Sequence, residues 1–187
     1  PCMPRRMLVA MQMEEFMTRR YELRFNRMKG CKEYRERHSL FTDYRPVTAE
    51  AVKSICFEAQ LEGISAIEYD VQRYVDSRRV SHYWPIEEFL FDLPHWDGQD
   101  RIRALADCVP CENKEWRDFF YIWFLSMVAH WLQMDREHAN STSPLLVGPQ
   151  GCRKSSFCQS LLPPELRPYY VDGIDLGSRK DAEMALN

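Results

Sequence analysis

The stretch LLVGPQGCRKSSFCQSLL (145–162) constrains the fold of this chain more than any other. A short apolar run ends at Gly148, a polar loop follows, and Lys154 begins a segment whose apolar residues recur at helical spacing. This order predicts a buried strand, a tight loop and a helix. The loop fits the pattern G-x-x-x-x-G-K-[ST] at every position except one, because Arg153 stands in place of the second glycine.

A loop of this kind binds phosphate because its backbone N–H groups point inward at the start of a helix. We expect a strand at residues 144–147, with the amides of residues 150–155 around a β-phosphate. Lys154 would reach the β- and γ-phosphates, and the Ser155 hydroxyl would hold Mg²⁺. The expected cofactors are ATP and Mg²⁺, and the expected cofactor-binding residues are Gly148, Pro149, Gln150, Gly151, Cys152, Arg153, Lys154, Ser155 and Ser156.

Arg153 leaves the activity of this loop open. Glycine at this position allows a positive φ, whereas a non-glycine residue in the left-handed region costs roughly 1–2 kcal/mol. Three interpretations compete: a working loop with an unusual residue, an inactivated loop, and a strand, loop and helix that match the pattern by chance. The first depends on pairing of residues 145–147 in a sheet.

Hydrolysis also needs an acidic residue at the end of a second strand. The segment YYVD (169–172) is interpreted as a neighbouring strand, with Asp172 as a candidate for the acid on the metal side and Asp175 shortly after it. No better candidate follows before Asn187. The sequence therefore predicts nucleotide binding without a complete ATPase site, leaves the catalytic residues unassigned and leaves enzymatic activity uncertain.

The amino-terminal part predicts a helix followed by a β-hairpin. Apolar residues recur at helical spacing over residues 5–18, and residues 21–36 then alternate apolar with charged residues around a turn at Lys29 and Gly30. Residues 1–45 contain 11 Lys and Arg against 6 Asp and Glu, although the whole chain has a net charge of -3. This basic region favours a contact with DNA, and a solvated charged surface is the alternative.

Two short helices are expected next. Thr48 is placed to cap a helix that ends at Gly63, and an S-x-x-E capping box at Ser65 and Glu68 opens another. We expect an Ile64–Tyr69 staple at the second start. The residues expected to be buried by these helices are Val52, Ile55, Cys56, Ala59, Ile67, Val71 and Val75.

The middle of the chain predicts further helices. One begins at Pro85 and stops before Pro94, a turn follows at residues 97–98, and a helix with Ile102 and Leu105 comes next. A long helix is expected over residues 113–133. The side chains expected in the core of this region are Trp84, Trp96, Trp116, Phe119, Phe120, Trp123, Phe124, Met127, Val128 and Trp131, with His130 as a core or boundary histidine.

Composition excludes several classes of protein. With 45% apolar residues and 13% aromatic residues the chain can form a core, so a fibrous or disordered protein is not expected. The longest apolar run covers residues 119–132, which is too short to cross a bilayer. Seven scattered cysteines predict a reduced, cytoplasmic protein, and the pair Cys108 and Cys111 lacks the second pair that a zinc site needs.

We therefore predict an α+β fold: a helix-rich, winged-helix-like amino-terminal module with a β-hairpin, then the start of a P-loop α/β domain. The expected parts are a basic module at residues 1–82, a helical region at 83–140 and an incomplete nucleotide-binding domain at 141–187, with a polar linker near residues 136–143. The first and last residues suggest a piece of a longer chain.

Three stretches together resemble the virulence-associated protein E family, P-loop proteins of phages, plasmids and integrated elements that are related to primase-helicases. These stretches are YWPIEEFLFDLPHWDGQDRIRAL (83–105), EWRDFFYIWFLSMVAHWL (115–132) and LLVGPQGCRKSSF (145–157). The likeness is good over residues 83–187 and loose over 20–80. Members of the family have glycine at the position of Arg153.

The resemblance implies a helicase-like NTPase that acts in DNA replication of mobile elements, often as a ring of identical subunits on DNA. It places the phosphate contact on Lys154 and the Mg²⁺ contact on Ser155. A DNA-binding or assembly module with a vestigial loop is the alternative function. A structural domain that binds neither nucleotide nor DNA is a third.

Overall fold

The fold is taken from a computed structural model that describes residues 4–40, 42–134 and 142–173. The chain divides into two compact units, residues 1–85 and 86–187. Seven α-helices and one four-stranded sheet lie in the described residues, so the predicted α+β class is confirmed. The winged-helix likeness and the three-part division stay predictions.

The first unit places three helices around a small mixed sheet. The strands lie in the order β3-β2-β1-β4, with β1 antiparallel to β2 and parallel to β4. The elements in chain order are α1 (Arg5–Arg20), β1 (Tyr21–Asn26), β2 (Cys31–Glu36), β3 (Arg45–Pro46), α2 (Ala49–Leu61), α3 (Glu68–Val75) and β4 (Ser81–Tyr83).

The predicted helix and hairpin are confirmed, and the hairpin turns at Gly30 with φ 63°. Strands β3 and β4 are additional findings, because two and three residues are too few to produce a detectable alternation. The short strand β4 joins β1 from a distant part of the sequence. It is the edge strand on the β1 side of the sheet, where the hairpin alone would leave β1 at the edge.

The core of the first unit forms where α1, α2 and α3 meet. Thr48 caps α2 as predicted, since its hydroxyl accepts a hydrogen bond from the Ala51 N–H at 3.2 Å. All four apolar residues predicted on the buried side of α2 are buried. They join a cluster that consists of Met13, Phe16, Met17, Tyr21, Val52, Ile55, Cys56, Ala59, Ile64, Ala66, Val71 and Val75.

The predicted capping box of α3 is wrong. The helix begins at Glu68, and the Asp70 carboxylate accepts the hydrogen bond from the Ile67 N–H at 3.1 Å. Because the helix starts later than predicted, Ile67 and Tyr69 are exposed and the staple does not form. Val71 and Val75 are buried as predicted.

The described part of the second unit is helical. Proline begins its first helix as predicted, because a helix tolerates the missing N–H in its first turn. Asp100 caps the next helix by accepting a hydrogen bond from the Arg103 N–H at 3.0 Å. The elements are α4 (Pro85–Phe91), α5 (Arg101–Ala106), α6 (Trp116–Trp131), α7 (Lys154–Ser160) and a 3₁₀ helix (Arg167–Tyr169).

The long aromatic helix α6 exists but is less covered than predicted. Of its residues expected in the core, only Phe120 is buried among the described residues, and Phe119 is 56% exposed. A helix that is apolar on all sides needs neighbours on all sides to be buried, and the described neighbours cover the Phe120 side. Trp96 is also exposed, Trp84 is half-buried, and His130 lies at the surface.

Candidate functional site

The strand predicted before the loop is not formed. Residues 142–149 have no strand pairing, and the side chains of Leu145 and Val147 are 85% and 87% exposed. A strand needs a neighbour to accept and donate its backbone hydrogen bonds, and the described residues of the second unit provide none. The prediction of a strand at residues 144–147 is therefore wrong for this structure, and the sheet pairing on which the working-loop interpretation depended is absent from the described residues.

The second predicted strand, YYVD, is also wrong. Residues 167–169 form a 3₁₀ helix that includes the first tyrosine of this segment, and residues 170–172 have no strand pairing. Asp172 follows as an exposed residue, and its carboxylate accepts a hydrogen bond from the Gly173 N–H at 2.9 Å. The sheet edge expected to present Asp172 is absent from the described residues, and Asp175 lies outside them.

The loop at residues 148–153 nevertheless closes on itself through Lys154. The ammonium Nζ of Lys154 donates to the carbonyl oxygens of Gly148 at 2.8 Å and Pro149 at 2.9 Å. It also lies 3.4 Å from the Sγ of Cys152. These contacts connect the first residues of the loop with the first residue of α7, so the loop holds its shape without a strand before it.

Arg153 adopts the backbone conformation that the glycine of the motif allows. Its φ and ψ are 64° and 27°, in the left-handed region, and Gly151 also has a positive φ of 85°. Cys152 between them has a negative φ. Alternation of φ in this way is a feature of anion-binding nests, although the Cys152 N–H donates instead to the Pro149 carbonyl within the loop, at 3.5 Å.

The predicted helix after the loop is confirmed. Helix α7 begins at Lys154, with Ser155 and Ser156 exposed in its first turn. Phe157 fixes this helix against α6, because its ring centroid lies 6.1 Å from that of Phe120. The motif therefore forms an exposed loop, and the helix that follows it packs on α6 through the contact between Phe157 and Phe120.

Gly148 also has a local packing reason to be glycine. A Cβ at this position would lie 3.1 Å from the Sγ of Cys152, which is closer than most such contacts. The loop therefore brings its first residue and Cys152 together. Sequence reasoning found the positions but missed this cross-loop contact, since a pattern of residue types carries no distances.

The W-D-G motif forms a tight turn that leads into α5. Gly98 has φ 86°, and the Trp96 indole N–H donates to the Gln99 carbonyl at 3.1 Å. The Asp97 carboxylate pairs with both terminal nitrogens of Arg101, at 2.7 and 2.6 Å. The Arg101 hydrogen bonds, followed by the Gln99 N–H, hold the pKa of Asp97 well below its usual range. This motif therefore has a structural role as a helix-initiating turn.

Cys108 and Cys111 are both exposed free thiols. In the described ranges, no group of three or more His, Cys, Asp or Glu side chains is gathered as metal ligands. Among the same residues, no helix combines the length and apolar character needed to span a bilayer.

The first unit presents a cluster that sequence reasoning missed. Phe25 lies opposite His82 across β1 and β4, with ring centroids 5.4 Å apart. Arg27 lies over Trp84, with its guanidinium carbon 4.2 Å from the ring centroid. Only the pairing of β4 with β1 brings these residues together, so the sequence carried no signal for it.

Residues 90–187 match the family model described as the virulence-associated protein E-like domain. The match covers slightly more than half of the 187-residue chain and includes α5, α6, the loop and α7. No curated protein and no solved structure is significantly similar to the chain.

Proposed function

The chain belongs to the virulence-associated protein E-like domain family, and from this premise we propose that it binds ATP through residues 148–156. The observation that carries the proposal is the closed loop, in which Lys154 reaches back to two carbonyls at the start of the motif. An ammonium in that position supplies a point charge for phosphate. The left-handed backbone of Arg153 supports the proposal, because it is the conformation that glycine at this position of the motif would allow.

The donor set of the loop fits a nucleotide with its metal ion. Lysine ammonium and backbone N–H groups bind phosphate oxygens, and the hydroxyl of Ser155 is an oxygen ligand of the kind that Mg²⁺ accepts. Ser155 lies at the surface in the first turn of α7, where its hydroxyl is accessible. A bound phosphate would take Lys154 away from the carbonyls of Gly148 and Pro149.

The proposal covers binding and does not assign a catalytic residue. Asp172 is not presented on a strand beside the loop, so the described residues supply no acid in the geometry that hydrolysis uses. Within the role that the family resemblance implies, nucleotide binding would serve replication of mobile genetic elements. It would act together with DNA and with further copies of the chain in a ring.

The proposal is tested by titrating the chain with a fluorescent ATP analogue in the presence of Mg²⁺. We expect saturable binding by the unmodified chain and a loss of at least about tenfold for Lys154→Ala, because a charged hydrogen-bond donor to phosphate is removed. Lys114→Ala is the matched control, since Lys114 is an exposed lysine of the same unit outside the loop. Its affinity should equal that of the unmodified chain.

Arg153→Gly separates a working loop from a vestigial one. If the arginine blocks the loop, the glycine variant gains binding that the unmodified chain lacks. If neither form binds ATP, or if Lys154→Ala binds as well as Lys114→Ala, the proposed site is wrong.

A DNA-binding module with a vestigial loop is a second candidate function, favoured by the charge of the hairpin region. Residues 21–46 contain seven Lys and Arg against four Asp and Glu. This function predicts salt-dependent DNA binding that ATP and Mg²⁺ do not change.

A further inference from the structure

One corner of the sheet in the first unit combines aromatic rings with a cation on a single face. Side chains at alternate positions of a strand share a face, so Phe25 and Arg27 lie on the same side, as do His82 and Trp84. Their pairing across β1 and β4 continues beyond the strand ends, because the Arg27 N–H donates to the Tyr83 carbonyl at 3.0 Å. We call Phe25, Arg27, His82 and Trp84 the aromatic corner.

The helices of the first unit leave the aromatic corner open. At the other end of β1 the same face is covered, since Tyr21 is buried and Leu23 packs against the core cluster. In the corner, Phe25 and Trp84 are only half-buried, and Arg27 and His82 are exposed. Aromatic surface is therefore presented at an edge of the sheet instead of in the core.

The cation of the aromatic corner is Arg27. The Arg27 guanidinium lies on Trp84, and among the described residues it is not part of an ion pair. Lys29, two residues after Arg27, is a second exposed cation, and its ammonium pairs with the Glu33 carboxylate at 2.9 Å. Stacking on an indole ring orients a guanidinium and leaves its N–H groups available to an anion.

We propose that the aromatic corner binds single-stranded DNA. Aromatic side chains beside cations are the combination that holds such strands, because unpaired bases stack on the rings while the cations contact the phosphates. The exposed ring of His82 supplies the stacking surface, Trp84 orients Arg27, and Arg27 supplies the phosphate contact. In duplex DNA the bases are already stacked on each other, so this surface selects the single strand. The site uses no residue of the ATP loop and is independent of it.

Fluorescence anisotropy with a labelled oligothymidylate of about 20 nucleotides tests the proposal on the full chain. We expect binding that weakens steeply between about 50 and 200 mM salt. His82→Ala should weaken binding about fivefold or more through lost stacking. Trp84→Leu should weaken it because Arg27 is no longer oriented, and Arg27→Ala should weaken it and reduce the salt dependence.

The matched control is Arg45→Ala, because Arg45 is an exposed arginine that also lies over a ring, that of Tyr34, on the opposite edge strand β3. Its affinity should stay near that of the unmodified chain. His82 is exposed, so its variant keeps the test valid if Trp84→Leu unfolds.

Three outcomes overturn the proposal. The first is that the unmodified chain fails to bind the oligothymidylate at low salt. The second is that Arg45→Ala weakens binding as much as Arg27→Ala, which would indicate binding by diffuse charge. In the third, a duplex of similar length or an oligouridylate binds more tightly than the DNA single strand. ATP binding is unaffected by any of these outcomes, so the two proposals fail separately.

Discussion

The Glu33 carboxylate accepts a hydrogen bond from the Nε of Arg24 at 3.0 Å, across the β1–β2 pair. Glu33 is only 2% exposed, so this bond lies beneath the surface of the sheet. The Arg24 guanidinium in turn lies between the rings of Tyr44 and Tyr83, at 3.6 and 3.7 Å from their centroids. One buried carboxylate thus fixes a cation and, through it, two aromatic rings.

Glu33→Gln should destabilise the first unit. The amide keeps the shape of the side chain but removes the charge that Arg24, Asn26 and Lys29 all donate to. Loss of hydrogen bonds between charged groups costs about 1.5–3 kcal/mol, measurable as a lower urea midpoint. Glu36→Gln is the control, because Glu36 forms an exposed pair with Arg45 that is worth at most about 1 kcal/mol. Equal losses in the two variants would contradict the role of Glu33.

Stability should fall in acid through the same carboxylate. Burial alone would raise the pKa of Glu33, but hydrogen bonds from Lys29, Asn26 and Arg24 outweigh it and hold the pKa below the usual value. A pKa that is lower in the folded than in the unfolded chain stabilises the fold. This stabilisation is present above the unfolded-state pKa of about 4.3 and is lost as the pH falls through the folded-state pKa. Urea midpoints should therefore drop below about pH 4.

The Glu33→Gln variant supplies the check on this pH dependence. Its urea midpoint should fall less between neutral and acidic pH, and the remaining decline comes from other paired carboxylates such as Glu22, whose pKa is lowered by Tyr44 and Arg35. Identical declines in the variant and the unmodified chain would show that Glu33 does not contribute.

Phe120→Ala should loosen the second unit much more than the same change at its neighbour. Phe120 is 1% exposed and lies against four other rings, including that of Phe157 on α7. Truncation of a buried phenylalanine costs about 3–5 kcal/mol. Phe119→Ala, at a position that is 56% exposed, should change stability by about 0.5 kcal/mol. Hydrogen exchange of the α6 and α7 amides measures both, and similar effects would contradict the packing described.

Arg153→Gly should stabilise the loop and the start of α7. Glycine adopts the observed φ of 64° without the penalty of roughly 1–2 kcal/mol that an L side chain incurs. Part of that gain is offset by the greater freedom of glycine in the unfolded chain. The α7 amides should exchange more slowly in Arg153→Gly than in Arg153→Ala, which keeps the Cβ. Faster exchange in the glycine variant would show that the arginine side chain stabilises the loop.

Local signals in the sequence predicted local structure well. The hairpin turn at Gly30, the Thr48 cap and the apolar stripe of α2 are confirmed, because each depends on residues within a few positions of one another. The predicted start of α3 is wrong because the sequence offers two capping residues close together, Ser65 and Asp70, and the observed hydrogen bond is made to Asp70.

In the candidate loop, too, the sequence predicted the local features but not those that depend on distant residues. Its residue types and the helix at Lys154 follow from the motif, whereas the strands expected at residues 144–147 and 169–172 do not form. A strand is stabilised by backbone hydrogen bonds to a neighbour, which a short apolar run cannot specify. A pattern of residue types also does not predict the hydrogen bonds from Lys154 to the two carbonyls that close the loop.

The sequence by itself determined most of the helices, the hairpin, the family and the helix that begins at Lys154. Tertiary structure alone decided that β4 lies beside β1 and brings Phe25 next to His82, and that Phe120 is covered while Phe119 is not. The reason is physical: backbone preference and capping act over a few residues, whereas burial and strand pairing depend on which distant segment arrives on each face.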